Sequence, residues 1–241
     1  MPLDARLELA PTGTLRVGIN FGNAVLVKRA ANGVARGIAV DLAAELAGTL
    51  KVPVEFVTYE SAGRMAEGAK GGAWDVAFLA ADPDRSNEIT FSAPYLEIET
   101  TYLVREDSPM RNVLDVDRDG VRVAVSAGSA YDLFLARNLK FAQLVSAAGP
   151  DASAELFFKD HLDALAGIRP MLVEIARDNP DTRVLEGRFS VVQQAVGTPR
   201  GHDAAAQYVR DFVEKIKSSG FVAKTIEKNR ILGVTVSSSP P

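Results

Sequence analysis

The sequence predicts an α/β protein built mainly from parallel strands, and three observations carry this prediction. Short apolar runs alternate with amphipathic helical patterns along most of the 241 residues. The run at residues 75–81 (DVAFLAA) is apolar on both faces, as a central strand of a parallel sheet must be. The strand-and-helix pattern restarts near residue 120, so we expect two α/β lobes.

The first half of the chain predicts three strands separated by two helices. Residues 15–20 (LRVGIN), 54–59 (VEFVTY) and 75–81 are the strands. Residues 37–50 carry leucines at helical spacing and are the first helix. Ser61 has the residue type and position of an N-cap, so a second helix is expected directly after it.

The second half repeats this alternation. Strands are expected at residues 121–126, 142–147 and 162–166, with helices between them. Residues 202–220 form a long amphipathic helix that ends at a glycine, and a shorter helix is expected over residues 221–229. The closing SSSPP is expected to fray.

Composition excludes several classes of function. The net charge of -4, without a basic cluster, disfavours binding to nucleic acid or to an anionic membrane. The absence of cysteine excludes a thiol nucleophile, a disulfide framework and thiolate metal sites. Because the chain has only His161 and His202, a multi-histidine metal site is excluded too. We therefore expect no metal and no cofactor.

Familiar catalytic and targeting motifs are missing from the sequence. It contains no G-x-G-x-x-G, no P-loop, no G-x-S-x-G and no H-E-x-x-H. No apolar run is long enough to cross a bilayer, so membrane insertion is not expected. Residues 1–13 lack the pattern of a signal peptide, which leaves two alternatives: a removed leader, or a protein that stays inside the cell.

Five segments, in order, resemble the family 3 extracellular solute-binding proteins, the amino-acid-type receptors of bacterial ABC importers. The resemblance extends over roughly residues 13 to 230. The segments are LRVGIN (15–20), ARGIAVDLAAELAGTLKVPVEFV (35–57), WDVAFLAADPDRSNEITFSAPY (74–95), GVRVAVSAGSAYDLFL (120–135) and YVRDFVEKIKSSGFVAKTIEKN (208–229).

This resemblance implies a two-lobed, type II periplasmic-binding-protein-like fold, with each lobe a mainly parallel sheet flanked by helices. Residues 1–103 with 197–241 would form the first lobe, and residues 104–196 the second. Residues 100–106 and 191–198 would be two crossover strands. The ligand would be held between the closing lobes.

The implied function is capture of a small carboxylate-bearing solute, an amino acid or a related organic acid, by a periplasmic, non-enzymatic and monomeric binding protein. It would pass the solute to an ABC permease. Two alternatives remain: a cytosolic or orphan ligand sensor of the same fold, and an enzyme like the cyclohexadienyl dehydratases. For the enzyme, Glu97 and Glu99 are the nearest acids that could protonate a leaving hydroxyl.

Arg85 falls on the arginine with which the family grips a ligand carboxylate. A guanidinium is a planar fork that matches a carboxylate with two hydrogen bonds. The alternative is a surface arginine paired with Asp82, Asp84 or Glu88.

Asp82 stands where the family usually has threonine. Because Pro83 follows it, Asp82 is also a plausible N-cap with proline at the first helical position. We therefore expect Asp82 to shape the turn, with ligand contact as a compatible second role.

In the second lobe, the resemblance assigns the carboxylate to backbone N–H groups and a hydroxyl at Gly128, Ser129 and Ala130. The alternative is that Ser129 only caps the following helix. In the first lobe, Phe21 and Asn23 follow the opening strand, where relatives often place an aromatic ring over the ligand. The alternative is that an aromatic residue at a strand end belongs to the core.

The chain departs from the family at the positions that hold the ligand's ammonium. The segment from residue 75 to 85 is about two residues shorter than usual, and Ala80 lies where small hydroxyl residues are expected. Gly167 and Ile168 occupy the place of the second-lobe aspartate. Since a buried ammonium without a carboxylate partner is costly, we hypothesise a carboxylate ligand without the standard α-amino group, although Asp82 could compensate.

Overall fold

The computed structural model describes residues 3–238. The chain divides into two compact units. The first unit contains the described residues up to 97 and from 193 onward, and the second contains residues 98–192. The chain passes from one unit to the other inside two ten-residue strands.

The elements follow in chain order. The first segment contains α1 (Leu3–Leu9), β1 (Leu15–Asn20), β2 (Lys28–Arg29), β3 (Ala35–Arg36), α2 (Ile38–Leu50), β4 (Val54–Tyr59), α3 (Ala62–Glu67), β5 (Val76–Ala80), a 3-10 turn (Pro83–Arg85), β6 (Ile89–Phe91) and β7 (Leu96–Arg105). The next contains a 3-10 turn (Val113–Asp115), β8 (Arg122–Ser126), α4 (Ala130–Asn138), β9 (Gln143–Ala147), α5 (Pro150–Lys159), β10 (Ala164–Ile168), α6 (Arg169–Asp178), β11 (Thr182–Val184) and β12 (Ser190–Pro199). The last contains α7 (Asp203–Ser218), α8 (Phe221–Lys228) and β13 (Val234–Val236).

The sheet of the first unit has the order β4-β1-β5-β12. Strand β1 is parallel to both of its neighbours, with Val17 opposite Val76 of β5. Strand β12 is antiparallel to β5 and also pairs with β6. The parallel strands β4, β1 and β5 therefore all end at the same edge of this sheet.

Buried aromatic and charged groups fix the first unit around β5. Trp74 is fully buried and donates its indole N–H to the Met65 carbonyl at 2.9 Å. The neighbouring Asp75 is buried and bonds both the backbone and the guanidinium of Arg16. Tyr95 is fully buried as well, so its ring and that of Trp74 belong to the core.

The sheet of the second unit has the order β7-β10-β8-β9. Strand β8 is parallel to β10 and β9, whereas β10 is antiparallel to β7. Its core contains Leu103, Phe157, Leu165 and Leu172, where β7, α5, β10 and α6 meet. Strands β8 and β10 therefore share one carboxyl edge.

The sequence prediction of parallel α/β units is confirmed, and several elements agree closely. Strands β1 and β4 have the predicted bounds, and Ser61 caps α3 by accepting the Arg64 backbone N–H. Gly220, with φ 72°, separates α7 from α8. The expected fraying is wrong for Ser237, which is buried and bonded to Tyr95, while residues 239–241 lie outside the described part of the chain.

Helix α1 has no counterpart among the predicted elements. It is short, and its buried residues Ala5 and Leu9 pack in a region where α1 contacts α7. Glu8 also accepts the backbone N–H of Ala205 near the start of α7. Across residues 3–238, none of the helices combines the length and the apolarity that crossing a membrane requires.

Candidate ligand-binding site

The residues predicted for the first lobe lie at one edge of the first unit's sheet. Phe21 and Asn23 follow the end of β1, Ala80 ends β5, and Asp82 and Arg85 follow β5. Because β1 and β5 are parallel neighbours, their carboxyl ends meet at this edge. Carboxyl ends of parallel strands are the usual place for ligands in α/β sheets.

The turn after β5 is built by Asp82. Its Oδ1 accepts the backbone N–H of Asp84 at 2.9 Å, and Pro83 begins the 3-10 turn. The Ser86 hydroxyl donates to the Asp82 carbonyl. The predicted capping role is therefore confirmed, in a single 3-10 turn.

Arg85 is buried, with only 6% of its surface exposed. One guanidinium N–H donates to the Ala80 carbonyl at 2.8 Å, which directs the side chain back toward the end of β5. Burial lowers the pKa of Arg85 to about 10, against the opposing charges of Asp82 and Asp84, so the group is cationic at neutral pH. The alternative is wrong in expecting a surface position for Arg85, whereas the charges of Asp82 and Asp84 do act on it, as that alternative expected.

The loop after β1 is fixed by local contacts. The Asn23 side chain accepts the backbone N–H of Val25 at 3.2 Å, an Asx-type turn. The Arg29 guanidinium lies 3.9 Å from the centroid of the Phe21 ring and pairs with Glu60 at 3.0 Å. One face of the Phe21 ring is therefore already in contact with a cation.

The residues predicted for the second lobe also share an edge, that of the second unit's sheet. Gly128, Ser129 and Ala130 follow β8, and Gly167 lies near the end of β10. Since β8 and β10 are parallel neighbours, these residues lie at the same carboxyl edge of the sheet.

The start of α4 satisfies much of its own hydrogen bonding. The Ser129 hydroxyl accepts the Asp132 backbone N–H at 3.1 Å, so Ser129 caps α4, and its ligand role stays a prediction. The Asp132 carboxylate accepts the Gly128 backbone N–H at 2.8 Å, and the Ser129 N–H donates to the Ser126 carbonyl. A side chain of this chain thus accepts one of the N–H groups that the resemblance assigns to a ligand carboxylate.

Burial shapes the ionisation of two groups at this junction. Burial raises the pKa of Asp132, although the hydrogen bond from Gly128 partly offsets it. The hydroxyl of Tyr131 is hydrogen-bonded to Ser129 and Ser126, and burial raises its pKa to about 12. The Ser129 side chain is therefore part of a buried hydroxyl cluster.

The end of β10 is packed rather than polar. A Cβ added at Gly167 would lie 2.5 Å from the Met171 Cε and 3.1 Å from a Leu172 methyl group. Ile168, where the resemblance leads one to expect an aspartate, is 6% exposed and provides no side-chain cap for α6. This junction carries no carboxylate at Gly167 or Ile168 for an ammonium.

One polar residue at the first edge was missed by sequence reasoning. Within residues 3–238, the buried side-chain atoms without a hydrogen-bond partner are Tyr95 Oη, Gln194 Oε1 and His202 Nδ1. Gln194 lies in β12 directly opposite Ala80 of β5. A glutamine inside the apolar run VVQQAV was the available signal, but the adjacent Gln193 left open which of the two faces inward.

The chain is an α/β protein with a buried cation at the carboxyl edge of a parallel sheet, which is where such sheets usually bind ligands. A sequence model of the bacterial extracellular solute-binding proteins, family 3, matches residues 15–230. The chain belongs to this family. A comparison with curated proteins found no match. Within the described residues, no cluster of three or more histidine, aspartate or glutamate side chains could hold a metal ion.

Solved structures confirm the type II periplasmic-binding-protein-like fold. The solute receptor for L-cysteine of Neisseria gonorrhoeae has a TM-score of 0.80 at 22% identity, covering 94% of this chain and 92% of its own. The ancestral amino acid-binding protein AncCDT-1, a precursor of cyclohexadienyl dehydratase, has a TM-score of 0.78 at 23% identity, covering 93% and 98%. A histidine kinase sensor domain similar to periplasmic binding proteins has a TM-score of 0.79 at 19% identity, covering 93% and 98%.

Proposed function

We propose that this protein is the substrate-binding component of an ABC-type uptake system and that it binds a small solute through the solute's carboxylate. Membership of the solute-binding family supports the transport role. The observation that carries the ligand class is the buried, cationic Arg85 at the carboxyl edge of the first unit's sheet.

Burying a guanidinium costs free energy unless hydrogen bonds and an opposite charge, from the protein or from a ligand, compensate it. The carbonyl of Ala80 and the charges of Asp82 and Asp84 offset part of this cost. A ligand carboxylate adds a full negative charge and two oxygens that match the fork of the guanidinium. We therefore assign the ligand carboxylate to Arg85.

The ligand's second polar group is not a standard ammonium. The position that would carry the pairing aspartate is the buried apolar Ile168. In the other unit, Asp82 is already used as the cap of its turn. These two observations favour an organic acid over an ordinary amino acid.

The two acids considered for catalysis are held in hydrogen bonds. Glu99 pairs with Arg169 at 2.8 Å and with Arg188 at 3.2 Å. Glu97 accepts the hydroxyl of Ser237 at 3.1 Å. A general acid must reach the atom that it protonates. These contacts therefore support a binding protein without catalytic activity.

We place the protein in the periplasm as a monomer, with an ABC permease as its partner. The likeness to a histidine kinase sensor domain keeps a sensor of the same fold as the second candidate. Fractionation of native cells tests the cytosolic form of that sensor: a cytosolic chain supports it, and a chain in a periplasmic extract argues against it.

The test of ligand class is a thermal-shift screen against amino acids and against the matching carboxylates without the amine. A ligand at 100 times its dissociation constant adds about 2.7 kcal/mol to the free energy of unfolding, which is a readable shift. Arg85→Ala should abolish the response, and Arg85→Lys should weaken it, because lysine lacks the planar fork. The exposed Arg64→Ala is the matched control in the same unit. An unchanged response in Arg85→Ala would refute the proposed site.

A further inference from the structure

We infer that Gln194 is a second recognition residue of the first unit and that it selects a ligand with an uncharged hydroxyl beside its carboxylate. This inference rests on the proposed function. It names the ligand as a 2-hydroxy acid rather than a 2-amino acid.

The first observation is a side-chain amide oxygen in the interior that has no hydrogen-bond partner. Gln194 is only 2% exposed, and its Oε1 has no hydrogen-bond partner. Buried side-chain polar atoms nearly always have a partner, either in the protein or in a bound molecule. Nothing in the local structure of β12 demands a glutamine, because its backbone alone forms the ladder with β5.

The second observation is the position of this amide beside the anchor of Arg85. Gln194 is directly opposite Ala80 in the antiparallel ladder, so their side chains point to the same face of the sheet. The Ala80 carbonyl is the group that receives the Arg85 guanidinium. Both contacts are made at Ala80, the last residue of β5, so we assign Arg85 and the Gln194 amide to one ligand at this end of the strand.

Tyr95 adds a second unpartnered polar atom in the same neighbourhood. Its backbone N–H donates to the Gln194 carbonyl at 2.8 Å, and its hydroxyl has no partner. The Tyr95 ring packs edge-on against Phe78, with centroids 6.0 Å apart. Since Phe78 is two residues before Ala80 in β5, both point to the face that Gln194 shares. Two unsatisfied polar groups on one buried face favour a polar occupant.

The chemistry of an amide identifies the occupant's group. Rotating the terminal amide of the Gln194 side chain by about 180° exchanges the positions of its carbonyl oxygen and its NH2 group. A hydroxyl donates and accepts, so it satisfies either orientation, whereas an ammonium can only donate. The amide also lacks the negative charge that a buried ammonium requires. A hydroxyl at the 2-position is therefore the group that fits.

The experiment uses matched triads that differ only at the 2-position. Propionate, lactate and alanine form the smallest triad, and glutarate, 2-hydroxyglutarate and glutamate a longer one. Binding to the full chain is measured by thermal shift and by calorimetry at pH 7. The wild type should bind the hydroxy acid of a triad at least tenfold more tightly than either of the other two members.

Two variants at this position and one neighbour test the assignment. Gln194→Leu should bring the hydroxy acid within about twofold of the unsubstituted acid, because one hydrogen bond to an uncharged group is lost. Gln194→Glu should move the preference toward the amino acid, since it supplies the missing carboxylate. Gln193→Leu is the control, because that side chain is exposed on the same strand. Gln194→Met, unbranched and of similar length, replaces Gln194→Leu if the latter does not fold.

The outcomes separate this inference from the proposed function. If Gln194→Leu keeps the wild-type preference, or the wild type prefers neither substituent, Gln194 is not a recognition residue. The proposed function still stands in that case if Arg85→Ala loses carboxylate binding. If no carboxylate binds the wild type, the proposed function itself fails.

Discussion

Two strand-to-helix junctions of this protein are built alike and charged differently. In the first unit a buried strand ends at Ala80, Asp82 caps the turn, and Arg85 lies three residues after the cap. In the second unit the strand ends at Ser126, Ser129 caps the helix, and Asp132 lies three residues after the cap. Asp132 lies in the first turn of its helix, where the helix end favours a negative charge, whereas Arg85 is a buried cation at the last position of a single 3-10 turn.

The difference separates local folding from recognition. The second junction supplies its own acceptor, because Asp132 takes the Gly128 N–H. The first junction contains a cation whose pKa is lowered by burial. The last residue of its strand, Ala80, lies opposite Gln194, whose Oε1 has no hydrogen-bond partner. Burying the Arg85 guanidinium costs desolvation free energy that the turn alone does not require. We therefore assign the ligand carboxylate to Arg85 in the first unit.

The largest stability effect is expected at Asp82. Asp82→Ala removes both the cap of the turn and one of the two charges that compensate Arg85. The free energy of unfolding should fall by roughly 3 kcal/mol, since a lost cap and an undercompensated buried charge add. Urea denaturation measures the change.

Asp82→Asn separates the two contributions, because asparagine caps as well as aspartate does but carries no charge. It should lose less stability than Asp82→Ala. If the two variants are equally stable, the charge of Asp82 does not stabilise the buried Arg85. The two junctions then differ only in the residues that cap them.

A smaller effect is expected at Ser129. Ser129→Ala removes the side-chain acceptor for Asp132 and should cost about 1 kcal/mol of stability. Affinity for whichever carboxylate stabilises the wild type should stay within twofold, because the Ser129 hydroxyl is already bonded inside the unit. A tenfold loss of affinity, measured under conditions in which the variant is fully folded, would show that the second junction contacts the ligand as well.

Most of the fold could be predicted because its signals are local. The strands at Leu15–Asn20 and Val54–Tyr59 are short apolar runs between turn residues, and Ser61 has the chemistry of a cap. Helix α1 (Leu3–Leu9) could not be predicted, because its buried side depends on contact with a helix some 200 residues later. Tertiary contacts of this kind leave no periodic signal in so short a segment.

The site could be predicted only in part. The cap at Asp82 and the cap at Ser129 follow from residue type, whereas the burial of Arg85 is set by packing that the sequence does not display. Gln194 was missed because two glutamines are adjacent, and only the register with Ala80 shows which one faces inward. The ligand roles of all the predicted site residues, Arg85 included, stay predictions.

The smallest effect is a pH dependence that contrasts two aspartates of the second unit. Burial raises the pKa of Asp132 above its ordinary value of 3.8. The folded protein then holds this proton more tightly than the unfolded chain does. The contribution of Asp132 is fully present below pH 3.8 and is lost as the pH rises through its folded pKa.

Asp117 has the opposite sign. Burial alone would raise its pKa, but the backbone N–H groups of Ala142, Phe141 and Lys140 outweigh burial and lower it below 3.8. Its contribution is present above pH 3.8 and is lost as the pH falls through the folded pKa. Unfolding free energies from pH 3 to 7 should therefore show the difference between wild type and Asp132→Asn shrinking as pH rises, while that for Asp117→Asn grows. If Asp132→Asn instead follows the course of Asp117→Asn, the start of α4 favours the ionised Asp132 by more than burial disfavours it, and the second junction is a stronger anion site than its hydrogen bonds suggest.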